Sequence, residues 1–208
     1  MARCFGNGDD LYSHYHDTEW GVPLAGFGVN EAELFERLSL EVFQVGLSWL
    51  LILRRREAFR EAFAGFDPAI VAEFDDSVIE GLLANEGIIR NRRKIEATIN
   101  NAQRLLDMHA NGESLAGLFA AHRPSRAVTR RHAYADLPTY IDEAADLSKA
   151  MKSRGFTFVG PTNVYAMMQA LGIVDDHLVS CPVAEQLDAR PTGADVWDEV
   201  SERTPTEK

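Results

Sequence analysis

The stretch NEAELFERLSLEVFQVGLSWLLIL, residues 30–53, decides the fold class. Asn30 is followed three residues later by Glu33, a variant of the capping box that opens a helix. Beyond this start, apolar residues recur at the spacing of one helical face: Leu34, Leu38, Val42, Val45, Trp49 and Ile52. The spacing predicts one amphipathic helix that continues through Ile52.

Similar signals extend over most of the chain. Asp67-Pro68 begins one helix, and Asp75 or Asp76 caps another that runs through Ala84. Capping residues and glycine or proline stops predict four further helices, over residues 91–108, 114–122, 139–154 and 162–170. Sustained strand alternation is not found in the sequence, so the predicted fold class is all-α.

The length of 208 residues fits one domain with a substantial core. We expect a single helical domain over residues 1–183 and a polar, mobile C-terminal tail over residues 184–208, because the helical spacing is lost there. Trp197 lies in this tail, and a docked turn around it is the alternative. No apolar run approaches the roughly 18 residues of a membrane span, and no signal peptide is recognisable, so we expect a cytoplasmic protein without a membrane partner.

The net charge of −11 argues weakly against a polyanionic partner. The charges are unevenly distributed, however, because the region from Arg90 to His132 holds nine Lys or Arg residues against three acids. A basic patch is therefore a candidate phosphate-facing surface, and a solvated helix face is the alternative; its members are Arg90, Arg92, Arg93, Lys94, Arg126, Arg130 and Arg131.

The two cysteines of the chain lie near its opposite ends, and each has a histidine at a plausible distance. His177 precedes Cys181 by one helical turn, and His16 follows Cys4. Together the four would form a Cys2His2 metal site that joins the two ends of the chain. Spacing alone leaves the alternative open, which is a terminal thiol and an ordinary buried histidine.

Several long motifs resemble the bacterial DNA-3-methyladenine glycosylase I family, part of the helix-hairpin-helix glycosylase superfamily. They are RC at 3–4, YHDTEWGVP at 15–23, LEVFQVGLSW at 40–49, FDP at 66–68, GIIRNRRKI at 87–95 and GFTFVGPTNVYAMMQALGIVDDHLVSC at 155–181. The resemblance implies a helix-hairpin-helix DNA glycosylase fold and a monofunctional hydrolase that excises 3-methyladenine in base-excision repair. It also implies one structural zinc ion per chain, bound by Cys4, His16, His177 and Cys181.

The resemblance further implies the residues that hold the alkylated base, which has to be flipped out of the duplex. Glu41 matches the base-recognising glutamate, whereas helical spacing alone places it with Gln44 and Ser48 on a solvated polar strip. The expected substrate-binding residues are Tyr15, Trp20, Glu41, Gln44 and Trp49. Glu41 and Asp175 are the expected catalytic residues, and a capping role beside His177 is the alternative for Asp175.

The expected partner is double-stranded DNA with alkylated bases, bound by a monomer. The segment GFTFVGPTNVY, residues 155–165, resembles the family's hairpin, and Gly155, Gly160 and Thr162 are the expected DNA-binding residues. Family members often carry a tryptophan shortly after the first cysteine, where this chain has Phe5, so we expect one wall of the pocket to be weaker. A zinc-stabilised binder of alkylated DNA that does not cut is the alternative function.

Overall fold

The computed structural model describes residues 3–22, 30–125 and 129–189, together with Trp197 and Val200. Within these residues the chain is helical and has no strand, which confirms the all-α prediction. Two short 3-10 helices cover Ala64–Phe66 and Tyr134–Asp136. The α-helices are α1 (Asp10–Thr18), α2 (Glu31–Gln44), α3 (Trp49–Leu53), α4 (Arg56–Ala62), α5 (Pro68–Val71), α6 (Asp76–Ala84), α7 (Arg92–Ala110), α8 (Leu115–Ala121), α9 (Asp142–Ser153), α10 (Pro161–Ala170) and α11 (Pro182–Asp188).

The helix predicted from Asn30 through Ile52 is broken, and this prediction is wrong at its C-terminal end. Asn30 caps α2 as expected by accepting a hydrogen bond from the Ala32 amide. The backbone leaves the helical region at Val45, and Gly46 has φ +79, a conformation that glycine adopts without steric cost. Ser48 then caps α3, so it is not part of a continuous polar strip.

Local capping signals elsewhere were read correctly. Asp67 caps α5 with Pro68 at its first turn, Asp75 caps α6, and Asn91 caps α7. Helices α1, α4 and α11 were not predicted, because each is short and the spacing of its apolar residues gives a weak signal.

The core is built around α2, which packs against α7, α8 and α10. Leu34, Phe35 and Phe43 on this helix are fully buried. Burial of each such side chain contributes about 1.5–3 kcal/mol, so α2 is held in place by packing on several sides. No helix in the described ranges is both long enough and apolar enough to span a membrane.

The C-terminal segment differs from the predicted tail. Residues 184–188 belong to α11, so the first part of the predicted tail is helical. Trp197 is fully buried in the core, and its indole N–H donates to the Leu171 carbonyl at 3.1 Å. Trp197 is therefore docked on the core, as in the alternative, and residues 190–196, 198–199 and 201–208 of the predicted tail lie outside the described residues.

Candidate functional site

The four predicted metal ligands meet in one place. Their ligand atoms all lie within 4.8 Å of one another, and His16, His177 and Cys181 are buried. Sγ of Cys4 lies 3.6 Å from Nδ1 of His177, and Sγ of Cys181 lies 3.5 Å from Nδ1 of His177 and from Nε2 of His16. A tetrahedral ion with bonds of about 2.3 Å to sulfur and about 2.0 Å to nitrogen requires edges of about 3.5 Å. The group could therefore bind a metal ion.

Neighbouring groups fix both histidine rings so that the predicted ligand nitrogens face the cluster. Nδ1 of His16 lies 2.8 Å from the Asp17 carboxylate, which in turn pairs with Arg3 at 2.7 Å. Nε2 of His177 lies 3.1 Å from the Trp20 carbonyl. Partners of this kind orient the ligands of metal sites in proteins.

Gly21 allows the His177 ring to approach the chain. Its φ is +70, and a Cβ built on it would lie 2.7 Å from Nε2 of His177. Any larger residue would push the ring away. The glycine of the motif HDTEWG is thus required by packing against a predicted ligand.

Burial shifts the pKa of two groups in this cluster. It raises the pKa of the Cys4 thiol to about 12 and lowers the pKa of the His177 imidazole to about 4. A neutral imidazole is ready to act as a ligand, whereas buried thiolates need a compensating positive charge. The donor set and its electrostatics suit a divalent cation.

Glu41 is a buried carboxyl on the inner face of α2. It is 5 % exposed, and burial raises its pKa to about 8, while the positive charge of Arg37 acts in the opposite direction. A cavity of about 110 Å³ lies beside it and is lined by Tyr15 of α1 and Trp49 of α3, among others. Three of the predicted pocket residues are thereby brought together.

Four aromatic rings form an arc that leads from this cavity to the surface. The ring centroids are 5.4 Å apart for Trp49 and Tyr15, 6.4 Å for Tyr15 and Phe5, and 6.5 Å for Phe5 and Tyr134. Tyr12 packs on Phe5 at 4.8 Å. Sequence reasoning missed Tyr12 and Tyr134. The three-residue spacing of Tyr12 and Tyr15 on α1 could have indicated the former, whereas no local pattern indicated the latter.

A larger groove of about 640 Å³ runs from the end of α2 to the start of α10. Gln44, Gly160 and Thr162 line it together with Tyr134. The amide of Gln44 donates to the Leu47 carbonyl at 3.1 Å and so braces the turn before α3. Gln44 therefore lies with the predicted DNA-binding residues, not in the cavity beside Glu41.

The segment between α9 and α10 forms a hairpin that is fixed to α7. Asn101 bonds both backbone groups of Thr157, accepting from its N–H at 2.8 Å and donating to its carbonyl at 3.1 Å. Gly155 has φ +86, and a Cβ on it would lie 2.9 Å from the Arg104 side chain. Gly160 is the N-cap of α10. This geometry presents the N-terminus of α10 to the groove.

The floor of the groove is linked to the cluster of Cys4, His16, His177 and Cys181. Asp176 is buried next to His177, and it accepts hydrogen bonds from the Tyr165 hydroxyl at 2.5 Å and the Gln169 amide at 2.8 Å. Tyr165 and Gln169 both line the groove. The residue next to His177 thereby also positions two side chains of the groove lining.

Comparison with known proteins agrees with this geometry. The family model described as methyladenine glycosylase matches residues 5–185. The chain belongs to the methyladenine glycosylase family. It is 44 % identical to DNA-3-methyladenine glycosylase 1 of Escherichia coli (strain K12), over 87 % of this chain and 96 % of that protein.

Two solved structures of the family extend the comparison. A crystal structure of 3-methyladenine DNA glycosylase I matches with a TM-score of 0.82 and 42 % identity, covering 87 % of this chain and 98 % of that one. The structure describing 3-methyladenine recognition by 3-methyladenine DNA glycosylase I from Staphylococcus aureus matches with a TM-score of 0.78 and 37 % identity, covering 86 % and 94 %. The chain thus matches these glycosylases over almost their whole length.

Trp20 occupies a different place in this family member from the one expected. Its ring packs on His16 at 5.9 Å, on His177 at 4.7 Å and on Phe5 at 4.9 Å, and it is buried. Trp20 does not line the cavity beside Glu41. It packs between the two histidines of the Cys/His cluster and Phe5 of the aromatic arc.

The contacts of Asp175 favour the capping alternative. One carboxylate oxygen accepts from Arg130 at 2.9 and 2.5 Å, and the other accepts from the His177 amide at 3.1 Å. Arg130 also pairs with Asp188 of α11 at 2.6 Å. The carboxylate links the His177 segment to α11.

The predicted basic patch is wrong for Lys94, and other members are paired with acids. The Lys94 ammonium is buried and donates to the carbonyls of Phe43 and Val45 at 2.8 and 2.6 Å. Arg92 pairs with Glu80 and Glu96, and Arg130 is engaged as described above. Arg126 lies outside the described residues.

Proposed function

We propose that this protein removes 3-methyladenine from alkylated double-stranded DNA by hydrolysing its N-glycosidic bond. Membership of the methyladenine glycosylase family supports this, as do relatives named for that activity. The observation that carries the proposal is the buried carboxyl of Glu41, which lies beside the rings of Tyr15 and Trp49.

The chemistry of the lesion explains why a buried carboxyl and aromatic rings suit it. Adenine methylated at N3 is positively charged while it is attached to deoxyribose. Electron-rich rings attract such a cation, with a contribution of about 0.5–2 kcal/mol per contact. A pKa of about 8 keeps Glu41 mainly protonated at pH 7, and a bound cation favours its ionised form. Binding of the lesion is therefore coupled to proton release, and neutral adenine gains no such interaction.

Bond breaking needs little acid catalysis, because the positive charge of the lesion is relieved when the glycosidic bond breaks. The protein has to extrude the base, hold it, and stabilise a sugar with oxocarbenium character while water attacks. Glu41 supplies a buried carboxyl to the lining of this pocket. Asp175 acts as a brace for the His177 segment, since Arg130 and the His177 amide occupy its oxygens.

The metal bound by Cys4, His16, His177 and Cys181 is proposed to be zinc, with one ion per chain. Four protein ligands leave no open position, so the ion would join the two ends of the chain and take no part in the reaction. The ligand geometry and the burial of His16, His177 and Cys181 support this assignment.

DNA contact is proposed at the hairpin between α9 and α10, by a monomer. The amides at the N-terminus of α10, around Gly160 and Thr162, suit a phosphate oxygen. Gln44 faces the same groove. A bound strand would then lie between the hairpin and the turn that precedes Trp49.

Release of free base from methylated duplex DNA tests the function. With enzyme in excess, we expect chromatography to show 3-methyladenine released by the wild type. At least tenfold slower release is expected for Glu41→Gln and for Trp49→Ala. Absence of release at high enzyme excess, together with retained DNA binding, would establish the non-cutting binder instead. Unchanged release by both folded variants would refute the site assignment.

A further inference from the structure

Tyr134 is an exposed aromatic residue in a position that no motif predicted. It begins the short 3-10 helix Tyr134–Asp136 between α8 and α9. Its ring is 55 % exposed and lines the groove opposite Gln44 and Gly160. Large aromatic surfaces left open beside a cavity are typical of binding sites, because a stacking partner covers them.

The ring is placed by tertiary contacts with the aromatic arc. It packs edge-on against Phe5, whose ring is itself directed inward onto His16 and Trp20 at 4.9 Å each. Phe5 therefore supports the metal cluster, and its outer side is covered by Tyr134. The outermost ring of the arc, and the one that an incoming base would meet first, belongs to Tyr134.

Tyr134 also lies within electrostatic range of Glu41. The negative charge of Glu41 contributes to raising the pKa of the Tyr134 hydroxyl, after burial and the charges of Cys4 and Asp176. The Tyr134 ring lines the groove, the Glu41 carboxyl lines the cavity beside Trp49, and the arc of rings connects the two spaces. A purine that is held by Glu41 and extends along this arc would meet the Tyr134 ring on its groove side.

We propose that Tyr134 is a specificity-determining residue that stacks on the extruded N3-methylated purine and closes the groove side of its pocket. This inference rests on the proposed function, because it assigns one wall to the same pocket. Stacking on an electron-poor purine favours the methylated base over unmodified adenine. Stacking between a base and an aromatic side chain is worth a roughly 5- to 100-fold change in affinity.

Binding of free 3-methyladenine and of methylated duplex, measured by titration calorimetry, tests the proposal. Tyr134→Ala is expected to weaken binding of the free base roughly 5- to 100-fold. Tyr134→Phe keeps the ring and is expected to restore most of the loss, whereas Tyr134→Leu, with similar bulk and no ring, is not. The control is Tyr140→Ala, a similarly exposed tyrosine that does not line the groove, for which no change is expected. Thermal unfolding of each variant shows that it is folded.

The possible results separate this proposal from the function on which it rests. A free-base affinity of Tyr134→Ala within twofold of the wild type would overturn the proposal. So would a loss confined to the duplex, which would place the ring against the DNA strand. If the free base binds in a Tyr134-dependent way and the wild type releases none from DNA, the stacking role stands and the catalytic function fails. A wild type that binds no free base would overturn both.

Discussion

Replacement of Glu41 by glutamine is expected to make the protein more stable. Burial raises the pKa of this carboxyl from 4.5 to about 8, so the folded state binds its proton more tightly than the unfolded chain does. The stability gained from this proton is fully present below pH 4.5 and is lost as the pH rises through 8. Glutamine has a similar shape and cannot ionise, so the stability of the variant does not fall in this way as the pH rises.

The size of the effect follows from the pKa shift. Above pH 4.5 the difference in the free energy of unfolding between variant and wild type grows by about 1.4 kcal/mol per pH unit. It reaches about 3 kcal/mol at pH 7 and flattens above pH 8. In a protein of this length a gain of about 3 kcal/mol raises the Tm by roughly 6–12 °C.

Urea unfolding at pH 5, 7 and 9 measures this difference. Glu61→Gln changes an exposed glutamate on α4 in the same way and serves as the control, with no pH-dependent gain expected. The Glu41 variant should also lose at least tenfold in release of 3-methyladenine from DNA. Equal stability of Glu41→Gln and the wild type at pH 7, or a difference that stays constant from pH 5 to 9, would refute the reasoning.

Three further changes test other parts of the structure. Lys94→Met leaves two carbonyls at the end of α2 without their donor and should cost about 1–3 kcal/mol per carbonyl in urea unfolding, whereas Lys149→Met on the surface should cost little. Cys181→Ser removes one proposed metal ligand, so elemental analysis of the purified protein should show less than one bound zinc per chain, with a lowered Tm. Trp197→Ala should cost about 3–5 kcal/mol by calorimetry if the indole is docked, and almost nothing if it is not.

Features set by neighbouring residues could be predicted from the sequence. The caps of α6 and α7 involve a side chain and a backbone amide a few residues away; of the two candidates for α6, Asp75 is the cap, and the helix predicted from Asn91 begins one residue later with Asn91 as its cap. The break at Gly46 was not predicted, because the apolar spacing continues past this residue although the backbone turns there. The apolar pattern alone does not reveal a glycine in the left-handed region.

Contacts between distant parts of the chain could not be predicted from local sequence patterns. The meeting of Cys4 with Cys181 was predicted through resemblance to a family, because spacing alone favoured a terminal thiol and an ordinary buried histidine. Burial of Trp197 depends on a site near Leu171, and the sequence around the tryptophan carries no apolar periodicity. Tyr134 reaches the groove only because its loop packs on Phe5.

The buried ion at the end of α2 connects the stability of the fold to the geometry of the pocket. Glu41 and Trp49 lie on different helices, so their separation depends on the turn between α2 and α3. Lys94 reaches from α7 to donate to the Phe43 and Val45 carbonyls at the start of this turn. A buried ammonium is costly, and burial lowers the pKa of Lys94, so its two hydrogen bonds to backbone carbonyls have to offset the loss of hydration. The two hydrogen bonds from Lys94 fix the direction in which the chain leaves α2. That direction determines where the Trp49 ring lies relative to Glu41.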